Sequence, residues 1–158
     1  MEKFNELMES AEKKLNVADH LLSMTYPLVK DPKLLLSVAE NLFLAFSYAL
    51  TSLLYYERHF KRIPPFQDNF SLKLQLFKDE CAARYGIDNE QLKAMQELKE
   101  ILIAHKKSPI EFPRKENFMI FNESYEARIL TNSLLKDCFQ KAKLFIKKLS
   151  TIVRKENN

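Results

Sequence analysis

Glycine is nearly absent from this sequence: one residue in 158, Gly86, against a usual share of about 7%. Tight hairpin turns and phosphate-cradling loops lean on glycine because it takes positive φ at no steric cost. Its scarcity therefore argues against sheet-rich and Rossmann-type folds and for an all-α one. Cysteine is scarce too. Cys81 and Cys138 are too few for a disulfide framework, and each falls inside a helical pattern, so both are expected as buried free thiols of a reducing, cytoplasmic environment. Glycine-rich phosphate loops, Cys pairs at metal spacing, HExxH and GxSxG are all missing. His20, His59 and His105 fall on three different predicted helices without a ligand-like partner four residues away, so neither a metal nor a cofactor is expected. The longest uncharged apolar run, Leu42–Tyr56, has 15 residues, short of the roughly 20 needed to span a bilayer. The acidic, amphipathic start "MEKFNELMES" is unlike a signal peptide. No membrane partner is expected.

What is present is helical patterning. Apolar residues make up 46% and charged residues 29%, a globular composition that a single domain over residues 1–158 accommodates. Phe4, Leu7, Met8, Ala11, Leu15, Ala18 and Leu22 recur at three- and four-residue steps, predicting a first helix over about Phe4–Met24 that Pro27 ends or kinks. Asp31-Pro32 restarts the chain as a second helix to near Arg62, stopped by Pro64-Pro65. Its middle is apolar almost all round, which marks a central helix or a subunit interface; a homodimer through Pro32–Arg62 is the expectation it raises. Glu40 within that helix stands out, because a buried carboxylate is costly unless paired, although a place facing solvent or a loop explains it as well. A third helix over about Ser71–Tyr85 ends at Gly86, suited to a left-handed cap. A fourth opens with Asp88 as cap and Gln91 closing a capping box, Ile87 stapling onto Leu92, and carries Leu92, Met95, Leu98, Leu102 and His105 along one side. From Lys106 to Asn122 the periodicity breaks, predicting a long loop in which Phe118–Phe121 adds a short extended piece. The last helix is predicted from about Glu123 to Val153. The sum is an antiparallel bundle of four or five helices.

Two segments carry the positive charge. Lys136–Asn158 holds seven Lys and Arg against Asp137 and Glu156, and Lys106, Lys107, Arg114 and Lys115 cluster after His105. Such faces contact phosphate in nucleic-acid binders, and solvated surface is the plainer account of them. The segment "MQELKEILIAHKK", Met95–Lys107, resembles the HEPN domain family, whose late helix carries an Arg, four to six residues and then a His. Here "LKEILIAH" reproduces the leucine spacing, the Ile-Ala and the histidine as His105. The resemblance implies a helical bundle that dimerises through its long helices, often beside a nucleotidyltransferase partner, and in catalytic members cuts RNA without a metal. It would give His105 a role at the attacking ribose hydroxyl. The Arg, however, would fall at Leu98, Lys99 or Glu100, of which only Lys99 is basic. Lysine keeps the charge but loses the planar fork that suits a phosphate. The expectation is therefore a binding module without catalysis. The alternative is an endoribonuclease using His105 and Lys99, with Lys106, Lys107 and Arg114 holding RNA or a nucleotide. A purely structural account also stands, in which His105-Lys106-Lys107 complements the helix C-terminus.

Overall fold

The computed structural model describes residues 2–155, so Glu156 and the two residues after it, part of the predicted basic tail, lie outside the described residues. Helix α1 (Lys3–His20) runs through a π-helical turn, Leu21–Thr25, into α2 (Tyr26–Val29). Pro27 thus does not end the first helix. The wider turn absorbs the missing donor and the bulk of its ring, and the chain stops three residues later at Lys30, whose φ of 54° breaks the helix. Helix α3 (Leu34–His59) is the centre of the molecule and packs on α1, α4, α6 and α7. Leu35, Leu42, Phe46, Leu50, Leu53 and Leu54 are all fully buried along it. By length and composition α3 could also cross a membrane, but 56% of its most apolar window is buried inside the bundle. More than half of that window is thus covered within one chain.

Asn69 caps α4 (Phe70–Phe77) by accepting from the Leu72 N–H at 3.1 Å. A second π-helical turn (Lys78–Ala82) leads to α5 (Ala83–Tyr85), and Gly86 closes it at φ 62°, as the lone glycine predicts. In α6 (Asn89–Lys107) the Asp88 carboxylate accepts from the Glu90 N–H at 3.0 Å. The capping box is only half made: the buried Gln91 Oε1 has no hydrogen-bond partner. Helix α7 (Asn132–Lys155) buries Leu135, Cys138, Ala142, Phe145, Leu149 and Val153, with the Phe145 ring 5.4 Å from Phe46 and 5.8 Å from Phe77.

The fold is mostly helical but not purely so. Phe118–Phe121 is extended, as the sequence suggests, but it is the middle strand of a three-stranded antiparallel sheet of β1 (Ile110–Arg114), β2 (Asn117–Phe121) and β3 (Ala127–Leu130), in that order, where the pattern otherwise predicts a loop and the start of the last helix. Arg114 pairs with Asn117, and Phe121 pairs with both Ile110 and Ala127. The scarcity of glycine fails to forbid these hairpins because Lys115 and Tyr125 take the positive φ values, 57° and 61°. Asn122 compensates in the second connection, its side-chain oxygen accepting from Ser124 N and Glu126 N at 2.9 Å each. Phe118, Ile120 and Leu130 point into the core. Helix α7 then begins eight or nine residues later than the pattern predicts, with Thr131 Oγ1 accepting from Leu134 N at 3.0 Å.

Candidate functional site

The inward residues of α6, Leu92, Met95, Leu98 and Ile101, are buried against the bundle. Towards the helix end burial loosens: Lys99 and Leu102 are half-buried, and Ile103 and Lys106 are exposed. With Glu40 of α3 and His105 they line a cavity of about 380 Å³. His105 and Lys99, the two candidate catalytic residues, therefore open on one space, and Lys106 with them. Lys107 turns away and lines a neighbouring depression with Ala104 and Asn122–Ser124. Arg114 lies at the far end of β1, exposed and opposite Asn117, and does not line the His105 cavity. The proposed basic set is thus split over three places.

His105 sits in the last turn of α6, its side chain one-third exposed. The chain reverses after Ser108, and β1 brings Glu111 back so that its Oε2 lies 2.6 Å from His105 Nδ1. This contact holds the ring and leaves Nε2 as the free nitrogen. A carboxylate on one imidazole nitrogen is an arrangement that orients a base. Lys99 is held differently. Its Nζ lies 5.2 Å from the centre of the Phe43 ring and 5.7 Å from that of Phe70, within cation–π range. Glu100 is drawn to Arg128 of β3 at 3.3 Å. Glu40, the carboxylate singled out in the sequence, is exposed at the cavity and not buried. Ile103, exposed at 41%, also lines the adjoining depressions against α4 and against the sheet. The outer face of α6 is therefore the floor of a groove with α4 on one side and β2–β3 on the other.

Neither the family models, nor the curated proteins, nor the solved structures contain a match to this chain. The geometry of the chain itself is what bears on function. Among the described residues no group of three or more His, Cys, Asp and Glu is placed to hold a metal ion. Both cysteines are buried and unbridged, and burial pushes each thiol up to about 12.

A second polar centre forms around Glu57, which no sequence motif marks. Glu57 of α3 has a fully buried side chain, and its carboxylate accepts from Arg84 Nη1 at 3.1 Å, from Arg62 Nη1 at 3.3 Å and from the Tyr85 hydroxyl. Burial, followed by the hydrogen bond to Glu57, pushes the Tyr85 phenol up to about 12. The signal was available: Glu57 follows Leu50, Leu53 and Leu54 at seven, four and three residues and so falls on their buried side. This centre ties the end of α3 to the segments on either side of α4.

Proposed function

We propose that the protein is a HEPN-like binding module without catalytic activity, whose recognition surface is the groove on the outer face of α6. It acts as a homodimer or as the partner of a nucleotidyltransferase, with RNA or a nucleotide as the ligand of the groove. The observation that carries the non-catalytic reading is what stands at the three positions open to the family's arginine. Leu98 is fully buried, Lys99 lies against two aromatic rings, and Glu100 is paired with Arg128. None offers a guanidinium to a phosphate beside His105, and Glu40 adds negative charge to the same cavity.

One observation favours a second reading, the metal-independent endoribonuclease: the Glu111 carboxylate on His105 Nδ1 leaves Nε2 free to take a proton. A single experiment separates the two. End-labelled, loop-containing RNA is incubated in EDTA with the protein, with His105→Ala and with Glu111→Gln. Retention of intact RNA, weakening steeply as salt rises, is the expected result. Cleavage that His105→Ala abolishes would replace the binding module by the nuclease. Sedimentation at micromolar concentration reports the oligomeric state, and a monomer there refutes the homodimer.

A further inference from the structure

We propose that the end of the molecule formed by α2 and the β1–β2 turn docks on an anionic lipid surface. The two elements are joined: the Tyr26 hydroxyl donates to the Glu116 carbonyl at 2.9 Å, which holds the hairpin turn against α2. At this end stand the two most exposed aliphatic side chains of the helices, Leu28 at 84% and Val29 at 61%, together with Met24 at 55%. Four exposed cations belong to the same two elements: Lys30 and Lys33 follow Val29 in the α2–α3 connection, and Arg114 and Lys115 precede Glu116 in the hairpin. None of the four is ion-paired among the described residues. Asp31 and Glu116 are the acidic residues between them, and the Asp31 carboxylate is engaged by the Lys33 N–H at 3.0 Å.

Composition decides between a bilayer and a protein as the occupant. A protein–protein interface is enriched in aromatic residues, Met and Arg and depleted in lysine, and its binding energy concentrates in Trp, Tyr and Arg anchors. Met24 and Arg114 would fit there, but the two most exposed side chains of this patch are Leu28 and Val29, and three of its four cations are lysine. That is the arrangement that suits an anionic bilayer, where aliphatic side chains enter the headgroup boundary and each surface cation strengthens partitioning about fivefold. Such contact is peripheral and involves no spanning segment. It does not depend on the α6 groove, so it stands or falls separately from the binding reading above.

The test is co-sedimentation with vesicles of phosphatidylcholine alone and of phosphatidylcholine with about one-third phosphatidylserine, chosen because the anionic leaflet supplies the attracting potential. Three proteins are compared: the wild type, Leu28→Asp with Val29→Asp, and Lys30→Asn, Lys33→Gln, Arg114→Gln and Lys115→Asn combined. Asparagine is used at Lys30 and Lys115 because both take positive φ. The wild type should bind the anionic vesicles alone and lose binding as salt shortens the screening length, and each variant should bind more than tenfold more weakly. A dye of polarity-dependent emission on Leu28→Cys, which the buried native cysteines leave as the reactive thiol, should shift to shorter wavelength on anionic vesicles. No binding of the wild type, equal binding to both vesicles, binding that both variants retain, or an unshifted dye would each overturn the proposal. Circular dichroism checks the fold of the variants. All six substituted side chains are exposed, and should the aliphatic pair fail to fold, the charge variant and the dye decide alone.

Discussion

Replacing Glu57 with glutamine tests the energetics of the buried carboxylate most directly. The side chain is fully buried and accepts from Tyr85 on one oxygen and from Arg62 and Arg84 on the other. Glutamine keeps the volume, so the cavity term is small. It also replaces one acceptor by a donor, which must then face either the Tyr85 hydroxyl or the two guanidinium groups. Hydrogen bonds to a charged group are worth about 1.5–3 kcal/mol each, and unpairing a buried charge costs about 3–5 kcal/mol. Here the charges left behind belong to arginines whose side chains are 36% and 41% exposed, so water recovers much of their loss. The net expectation is about 2–3 kcal/mol, or a fall in Tm of roughly 5–10 °C for a chain of this size. Arg84→Ala should cost less, about 1 kcal/mol, because Glu57 keeps Arg62 and Tyr85. The double variant should cost less than the sum of the two. Urea unfolding and thermal melting at neutral pH measure all three. A Glu57→Gln protein that melts within 1 °C of wild type, or an Arg84→Ala protein that is the less stable of the two, refutes the assignment of Glu57 as the anchor.

Burial holds Cys81, Cys138 and Tyr85 near 12, so iodoacetamide at pH 8 should leave the native protein almost unlabelled and modify both thiols in denaturant. The same shifts make the folded state keep protons that the unfolded chain releases, so stability should fall as pH rises from about 9 to about 12; a Tm that increases from pH 8 to pH 10.5 contradicts this. Phe145→Ala removes a fully buried ring between Phe46 and Phe77 and should cost about 3–5 kcal/mol by urea titration, with a cost below 1 kcal/mol arguing against this packing. Lys115→Gly and Tyr125→Gly should be neutral or stabilising by up to about 1 kcal/mol, since glycine relieves the positive φ at both positions, whereas Lys115→Val should destabilise.

The elements that the sequence reveals are those fixed by local chemistry. The Asp88 cap, the inward Leu92–Met95–Leu98 stripe and the end of α5 at Gly86 are all found in place, because each depends on residues within a turn or two. The sheet was hidden for a specific reason. Counting glycines measures only the easiest route to positive φ. Lys115 and Tyr125 take it with their side chains exposed to solvent, and Asn122 satisfies the second turn by accepting two backbone N–H groups. Phe118–Phe121 is legible as an extended piece because its apolar residues run together, and Phe118, Met119 and Ile120 are indeed buried in succession. Its partners β1 and β3 are mostly exposed and carry no such run, so Glu123–Thr131 reads as the start of a helix.

The same division runs through the candidate site. His105 is legible as the polar end of an aliphatic helix, but Glu111 is not, because their contact depends on β1 returning the chain. The carboxylates exchange roles. Glu40 drew attention for its apolar neighbours in sequence, yet it is Glu57 that the core encloses, and Glu40 opens on the cavity with Lys99, His105 and Lys106. That exchange has a consequence for binding. A carboxylate among the cations of an anion site opposes the ligand, and at an exposed position its effect is about 0.5–1 kcal/mol. Glu40→Gln should therefore strengthen RNA retention about two- to fivefold at low salt without changing Tm, and the gain should shrink as salt is raised. Filter binding of labelled RNA measures it. Unchanged or weaker retention by Glu40→Gln would remove the His105 cavity from the RNA-binding surface, because no anion held there could be indifferent to the loss of that charge.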